Sequence, residues 1–271
     1  MVAFQLGAAF KPSLLGENKL ETSIFYAKVL TRLGYRYLVV DSERAADDLS
    51  LKDFEQLISV CKLLGFPEPV ITVPVRRSDC WERLDTVIDV LGQEGFGGVC
   101  LVAGNSAYLT AEEKSRRAGR LLLEAAEAFR RKCRFNLLMV GTERVEKTAA
   151  KIAANYRAVP VMLMTPRLLE ETRLYTLNGL RKAVYVPYFF GEELPREVAE
   201  KVNAYVSRRV GNKNIDEAWR QFVYTGPPGE FAQLLRNLSE NNIDIFIGYP
   251  LDKRVKQLTA LSRAATSLST A

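Results

Sequence analysis

Short runs that are apolar at every position alternate along this chain with longer stretches whose apolar residues recur at helical spacing. The runs predict eight strands, at 3–8, 37–41, 70–75, 98–103, 135–140, 159–164, 183–189 and 243–248. Helical periodicity fills the intervals at 19–33, 51–64, 80–91, 111–132, 143–155 and 166–178. The region 194–241 holds two or three helices, because Gly211 and the turn TGPPG at 225–229 interrupt it, and a last helix covers 254–265. Several boundaries have a local cause. Thr110 followed by Glu113 has the form of a capping box, Thr165-Pro166 offers a cap residue and a proline at the first helical position, and Gly34, Gly65 and Gly179 stand just past helix ends.

Strands such as VPVMLM and LLMV are apolar on both faces, which belongs to parallel sheets covered by helices. Eight strand–helix repeats in one domain spanning 1–271, with no linker and no GxGxxG after the first strand, predict a closed (β/α)8 TIM barrel. In that architecture the loops after the strands build the active face. The polar residues Asp41-Ser42-Glu43-Arg44 stand at such an end. So do 72–77, Gly104-Asn105-Ser106, Gly141-Thr142-Glu143-Arg144, Thr165 with Arg167, Tyr188, and Gly248-Tyr249.

Composition narrows the chemistry. The chain has no histidine, which excludes Ser-His-Asp and Cys-His catalysis, HExxH metal sites and imidazole as a base. Acid–base work falls to Asp, Glu, Tyr, Lys, Cys or a cofactor. Four cysteines without a CxxC pair, each in or beside an apolar segment, read as buried reduced thiols, with no metal site among them. The N-terminus has no basic region before its apolar residues and no run could span a bilayer, so a cytoplasmic protein is expected. Net charge is +6, densest at Arg130-Arg131-Lys132 with Arg134. A solvated helix face accounts for it, and without interleaved aromatics no nucleic-acid partner is expected.

Taken in order, the motifs resemble the bacterial luciferase-like flavin and deazaflavin oxidoreductases. AKVLTRLGYRYLVVDSE is similar to that family's second βα unit, VITVPVRRSDCWERLDTVIDVLGQEGFGGVCLVAGN to its third strand with the P-x-x-R loop and the unit that follows, and MVGTERVEKTAAKIAANY to the strand and helix start that receive the cofactor phosphate. MTPRLLEETR and TGPPGEFAQLLRNLSENNIDIFIGYP resemble the following helix start and the lead into the last strand. The group using the 8-hydroxy-5-deazaflavin coenzyme F420, which includes methylenetetrahydromethanopterin reductase, is the most similar. The resemblance implies an oxidoreductase that binds deazaflavin or FMN and moves a hydride to or from a small pterin-like or carbonyl substrate. It also implies a homodimer formed through helices 19–33 and 80–91. Family members commonly run longer, with an insertion near mid-barrel. They often carry His where this chain has Ser42, and glycine-rich sequence where it has Ala103-Gly104-Asn105.

Carried onto this chain, the resemblance places Asp41 and Glu43 as catalytic residues, orienting the substrate or donating a proton. Ser42, Thr72, Val73, Pro74, Arg76, Gly104, Asn105 and Thr165 would surround the cofactor ring, with Tyr188 as an aromatic wall. Gly141, Thr142 and Arg144 would receive the phosphate. Ordinary readings stand beside these: an Asp41 ion pair, a helix cap at Thr142 with Glu143 opposing an anion, a strand-ending Pro74, and a packing role for Tyr188. Two other functions stay open: a catalytically degenerate barrel that binds a cofactor or partner, and a barrel lyase or aldolase using magnesium or a Schiff-base lysine, for which Lys11 and Lys253 are the lysines at strand ends.

Overall fold

A computed structural model describes residues 4–14, 16, 18–175, 179–210 and 219–269. Its strands are β1 (Gln5–Phe10), β2 (Tyr37–Val40), β3 (Glu68–Pro74), β4 (Gly98–Val102), β5 (Leu137–Gly141), β6 (Val159–Leu163), β7 (Ala183–Phe190), a short β8 (Tyr224–Gly226) and β9 (Ile245–Pro250). Sequential pairing from β1 to β7, then β7 to β9 and β9 to β1, closes an eight-stranded parallel barrel. β8 stands outside the ring, paired with Tyr188–Phe190 at the overhanging end of β7.

Alternation along the strands builds two apolar layers. Ala9, Tyr37, Val39, Val70, Cys100, Met139, Val161 and Ile247 meet inside the barrel. Their neighbours Leu38, Val40, Ile71, Leu101, Val140, Val184 and Phe246 face the helices. Burial on both faces is the physical reason the strands read as continuous apolar runs. The floor is closed by polar groups: Tyr37 Oη and Arg181 Nη1 both donate to Gln5 Oε1, at 2.7 and 3.2 Å.

The helices are α1 (Lys19–Arg32), α2 (Leu51–Leu64), α3 (Cys80–Glu94), α4 (Ala111–Ser115), α5 (Ala118–Lys132), α6 (Glu146–Tyr156), α7 (Leu168–Thr172), α8 (Arg196–Val210), α9 (Pro228–Glu240) and α10 (Val255–Ser269). The capping box at Thr110 and Glu113 is present, and Gly34, Gly65 and Gly179 have φ of +75°, +74° and +75°. Three expectations shift. The pattern over 111–132 breaks into α4 and α5 at Arg116, whose backbone is extended. Thr165 does not cap a helix at Pro166; its Oγ1 accepts from the Arg167 N–H and α7 begins at Leu168. Phe135 is not in β5 but on the turn before it, 99% exposed. Residues 176–178, assigned to the helix after β6, Ala3 of the first strand and Gly211 lie outside the described residues.

Among the described residues no helix is long and apolar enough to cross a membrane. A third, smaller apolar cluster joins Val198, Val202 and Val206 of α8 to Phe189, Phe222 and Leu251. It seats α8 over the ends of β7 and β9, at the mouth where the candidate residues lie. Lys201 Nζ reinforces this seat by donating to the Leu251 carbonyl at 2.8 Å.

Candidate active site

Lys11 follows β1 and Asp41 follows β2, neighbours in the ring, and strand alternation turns both inward. Lys11 Nζ stands 3.4 Å from Asp41 Oδ2, and Asp41 Oδ1 accepts the Glu43 N–H at 3.4 Å. Asp41 thus holds a cation on one oxygen and the backbone of the next inward residue on the other. Burial pulls the Lys11 ammonium down, but Asp41, Tyr108, Tyr249 and Glu43 outweigh it and leave Lys11 raised above the usual lysine range.

Glu43 is the group tuned toward neutrality. Burial and then the charge of Asp41 raise it to about 7, against the opposing pull of Lys11 and Arg209. A glutamic acid titrating there can take up or give a proton at physiological pH. Beside the carboxylates, on the barrel interior, are aromatic rings. Tyr185 and Tyr249 stack with centroids 6.1 Å apart and planes 20° from parallel. Burial, then Asp41, raises Tyr185 well above the usual phenol range, and burial raises Tyr249 to about 12, so both keep their protons. From α8, Arg209 lies 3.7 Å over the Tyr205 ring and 3.4 Å from Glu143 Oε1. The Tyr205 hydroxyl is buried without a hydrogen-bond partner. Cys100, inside the barrel below them, is raised to about 12 by burial and is an inert thiol.

The other expected residues are distributed differently. Ser42 faces outward from the mouth: its hydroxyl donates to the Thr72 carbonyl and accepts from Arg83, both at 2.8 Å. Thr72 and Pro74 share the inward face of β3 with Val70. Val73 does not approach a ring, since it belongs to the outer layer. Arg76 donates to the carbonyls of Ala103 at 2.8 Å and Gly104 at 2.6 Å, bracing the β4 loop in place of contacting a cofactor edge. Asn105 accepts from the Ala107 N–H in its own turn. Tyr188 is not a wall of the mouth; it packs outward against Phe190 and Phe231. Gly141 closes the inward face of β5, and a Cβ on it would stand 3.0 Å from Val102. The Thr142 hydroxyl points away, donating to the Val161 carbonyl at 3.3 Å. Arg144 is left-handed, with φ +62°, and exposed at the turn into α6. Sequence reasoning missed Tyr185, Tyr205, Arg209 and Arg83. The parity of β7, which puts Ala183 inside, was enough to find Tyr185.

The family model that matches residues 28–258 is that of a family of unknown function, DUF7388. The chain belongs to this family. An uncharacterized protein of Methanocaldococcus jannaschii, MJ1239, is 27% identical over 246 residues, covering 91% of this chain and 92% of that one. Among solved structures, an F420-dependent secondary alcohol dehydrogenase in complex with an F420-acetone adduct superposes with a TM-score of 0.66, at 12% identity over 96% of this chain and 98% of that one. The oxygenating constituent of 3,6-diketocamphane monooxygenase of Pseudomonas putida, in complex with FMN, gives 0.62 at 11% identity over 98% and 97%. Dihydrodipicolinate synthase of Acinetobacter baumannii, complexed with pyruvate, gives 0.55 at 13% over 99% and 77%. At such identities the likeness is one of fold. This member of DUF7388 is a TIM barrel.

Proposed function

We propose that this barrel is a luciferase-like oxidoreductase that uses a deazaflavin or FMN with a small neutral substrate, carbonyl or pterin-like. Glu43 exchanges the proton that accompanies hydride transfer. The observation that carries the reading is the inward carboxylate pair, Asp41 paired with Lys11 and Glu43 raised to about 7, beside the stacked Tyr185 and Tyr249. The mouth's cations Lys11 and Arg209 each face a carboxylate, so nothing there favours an anionic reacting end, whereas a polarised C=O or C=N suits Glu43 and the phenols.

The cofactor fits the turn into α6 through Arg144, as expected, and through backbone N–H groups in place of the Thr142 hydroxyl. The Thr142 hydroxyl is engaged with Val161. The first N–H groups of α6, however, have no side-chain cap, which suits an anion. Arg144 is exposed beside them. Of the nearby carboxylates, Glu143 is paired with Arg209, and Glu146 and Glu171 are the ones that oppose an anion. Bound there, the cofactor would supply the hydride chemistry.

Fluorescence titration with FMN and with the oxidised deazaflavin tests this. Binding that falls roughly tenfold in Arg144→Ala, the scale of one charge-assisted hydrogen bond, and holds in Thr142→Val supports the reading. A failure of both cofactors to bind moves the assignment to the second reading, a non-catalytic binding barrel. The engagement of Ser42, Arg76, Asn105 and Thr142 in internal bonds is what favours that alternative. Pairing of two copies through α1 and α3 belongs to the same proposal; Phe25 and Trp81 are exposed on those helices, and light scattering reports the mass.

A further inference from the structure

Ser42 stands between the two carboxylates and faces the opposite way, into a buried ionic network. Arg77 reaches its carbonyl through Nη1 at 3.4 Å, and Arg83 Nη2 donates to its hydroxyl at 2.8 Å. The same hydroxyl donates to the Thr72 carbonyl at 2.8 Å, tying the turn after β2 to β3. Asp48 joins the two arginines: its oxygens accept from Arg77 Nη1 and Nη2 at 3.1 and 2.7 Å, and Oδ1 also meets Arg83 Nη1. Asp79 takes the remaining side of Arg77, its Oδ1 accepting from Nε at 2.9 Å. Two guanidiniums thus meet two carboxylates, and the charge is balanced within the network.

We infer that Arg77 and Arg83 are positioning residues for the Asp41–Glu43 pair. Bridged by Asp48, they clamp the Ser42 peptide from outside the barrel so that its two neighbours both project into the mouth. The geometry requires guanidiniums. Arg83 reaches Asp48 through Nη1 and the Ser42 hydroxyl through Nη2, and Arg77 holds Asp48 through both terminal nitrogens and Asp79 through Nε, spans that a planar fork makes and a single ammonium does not. The network also leaves Arg83 Nε buried without a partner, a cost that burial for stability alone would not incur. Without the clamp the 41–43 turn is free to rotate Glu43 toward solvent, away from Asp41, Lys11, Glu143, Arg209, Tyr185 and Tyr205.

This inference rests on reading Glu43 as the proton-exchanging group, but its test needs no cofactor. Carbon-13 NMR of the glutamate carboxyls, with Glu43 assigned through Glu43→Gln, follows its titration in the wild type, Ser42→Ala, Ser42→Thr, Arg83→Lys and Arg77→Lys. Circular dichroism establishes that each variant is folded. The expected result is a Glu43 midpoint near neutrality in the wild type, lowered by at least one pH unit (tenfold in proton affinity) in Ser42→Ala, Arg83→Lys and Arg77→Lys and restored in Ser42→Thr. Ser42→Ala keeps both arginine–Asp48 pairs, so it remains informative if Arg83→Lys or Arg77→Lys does not fold. An unchanged midpoint in folded Ser42→Ala overturns the clamp on the hydroxyl through Arg83, and an unchanged midpoint in folded Arg77→Lys overturns the clamp on the carbonyl. A wild-type midpoint near 4 would overturn the tuning of Glu43 itself, and failure of cofactor binding is read separately in the titrations above.

Discussion

Lys11 Nζ lies 3.4 Å from Asp41 Oδ2 at the mouth of the barrel, and this pairing decides against one chemistry the fold could host. A Schiff-base lysine must be deprotonated near neutral pH, which burial without a counter-charge achieves. Here burial is overridden by Asp41 and its neighbours, and Lys11 stays protonated. Treatment with pyruvate and cyanoborohydride is therefore expected to leave the mass of the protein unchanged. A reduced adduct mapped to Lys11 would restore the aldolase reading.

Glu43 makes stability depend on pH in a stated window. Its folded pKa, about 7, lies above the ordinary glutamate value of 4.5, so between those values the folded state holds more protons than the unfolded one. Stability attributable to Glu43 is then highest below about 4.5, falls as pH rises to 7, and is level beyond. The loss is on the order of 2 kcal/mol once partial exposure is allowed for. Urea midpoints at pH 5 and pH 7.5 are expected to differ less in Glu43→Gln than in the wild type. Parallel behaviour of the two proteins would refute the tuning. Glu68 and Glu171 are also raised by burial, and they act in both proteins alike.

The barrel is legible in the sequence because two-sided burial leaves a plain mark: continuous apolar runs at regular intervals, with helices such as α2 ending at a left-handed glycine. The candidate site is less legible, and the reasons are particular. Thr142 was assigned to the site by its place after a strand, yet Met139 faces inward and alternation sends position 142 outward. Tyr188 fails by the same parity, sharing the outer face with Val184 and Val186. Phe135 is apolar and next to a strand, and local hydrophobicity does not distinguish a turn residue from the strand's first member. Tyr205 and Arg209 reach the mouth from α8, 60 residues or more beyond Glu143 in sequence, through packing that no local pattern encodes.

Glu113 gives the opposite pH response. One oxygen accepts the Thr110 N–H at 2.9 Å and the other the Ser78 N–H at 2.7 Å, so the residue caps α4 and fastens the turn before α3. These backbone donors hold its carboxyl down at about 2. The stability it contributes is complete above the ordinary glutamate value of 4.5 and lost as pH falls toward 2. Glu113→Ala is expected to cost about 1–3 kcal/mol at pH 7 and to make the acid limb of the stability curve shallower. Thr110→Ala is expected to cost about 1 kcal/mol and leave that limb nearly unchanged. Equal flattening of the limb in both variants would show that the cap, and not the carboxylate, sets the response.

Gly98 opens β4 directly opposite Leu137 of β5, and a methyl group there would collide with the Leu137 carbonyl and Cβ. Neither atom can retreat: Leu137 N donates to the Gly97 carbonyl at 3.2 Å, and Asn136 Nδ2 donates to the Leu91 carbonyl, also at 3.2 Å. The added carbon must therefore push the two strands apart at the floor, where ring closure fixes every neighbour. Gly98→Ala is expected to cost several kcal/mol, roughly 2–4 by analogy with overpacked cores. Gly179→Ala separates this from backbone strain, because Gly179 is left-handed at φ +75° but has nothing within 4 Å of a new Cβ. Its cost is expected to be about 1 kcal/mol. If guanidinium melts show Gly179→Ala as the more damaging change, contact between β4 and β5 at the floor is not what constrains residue 98.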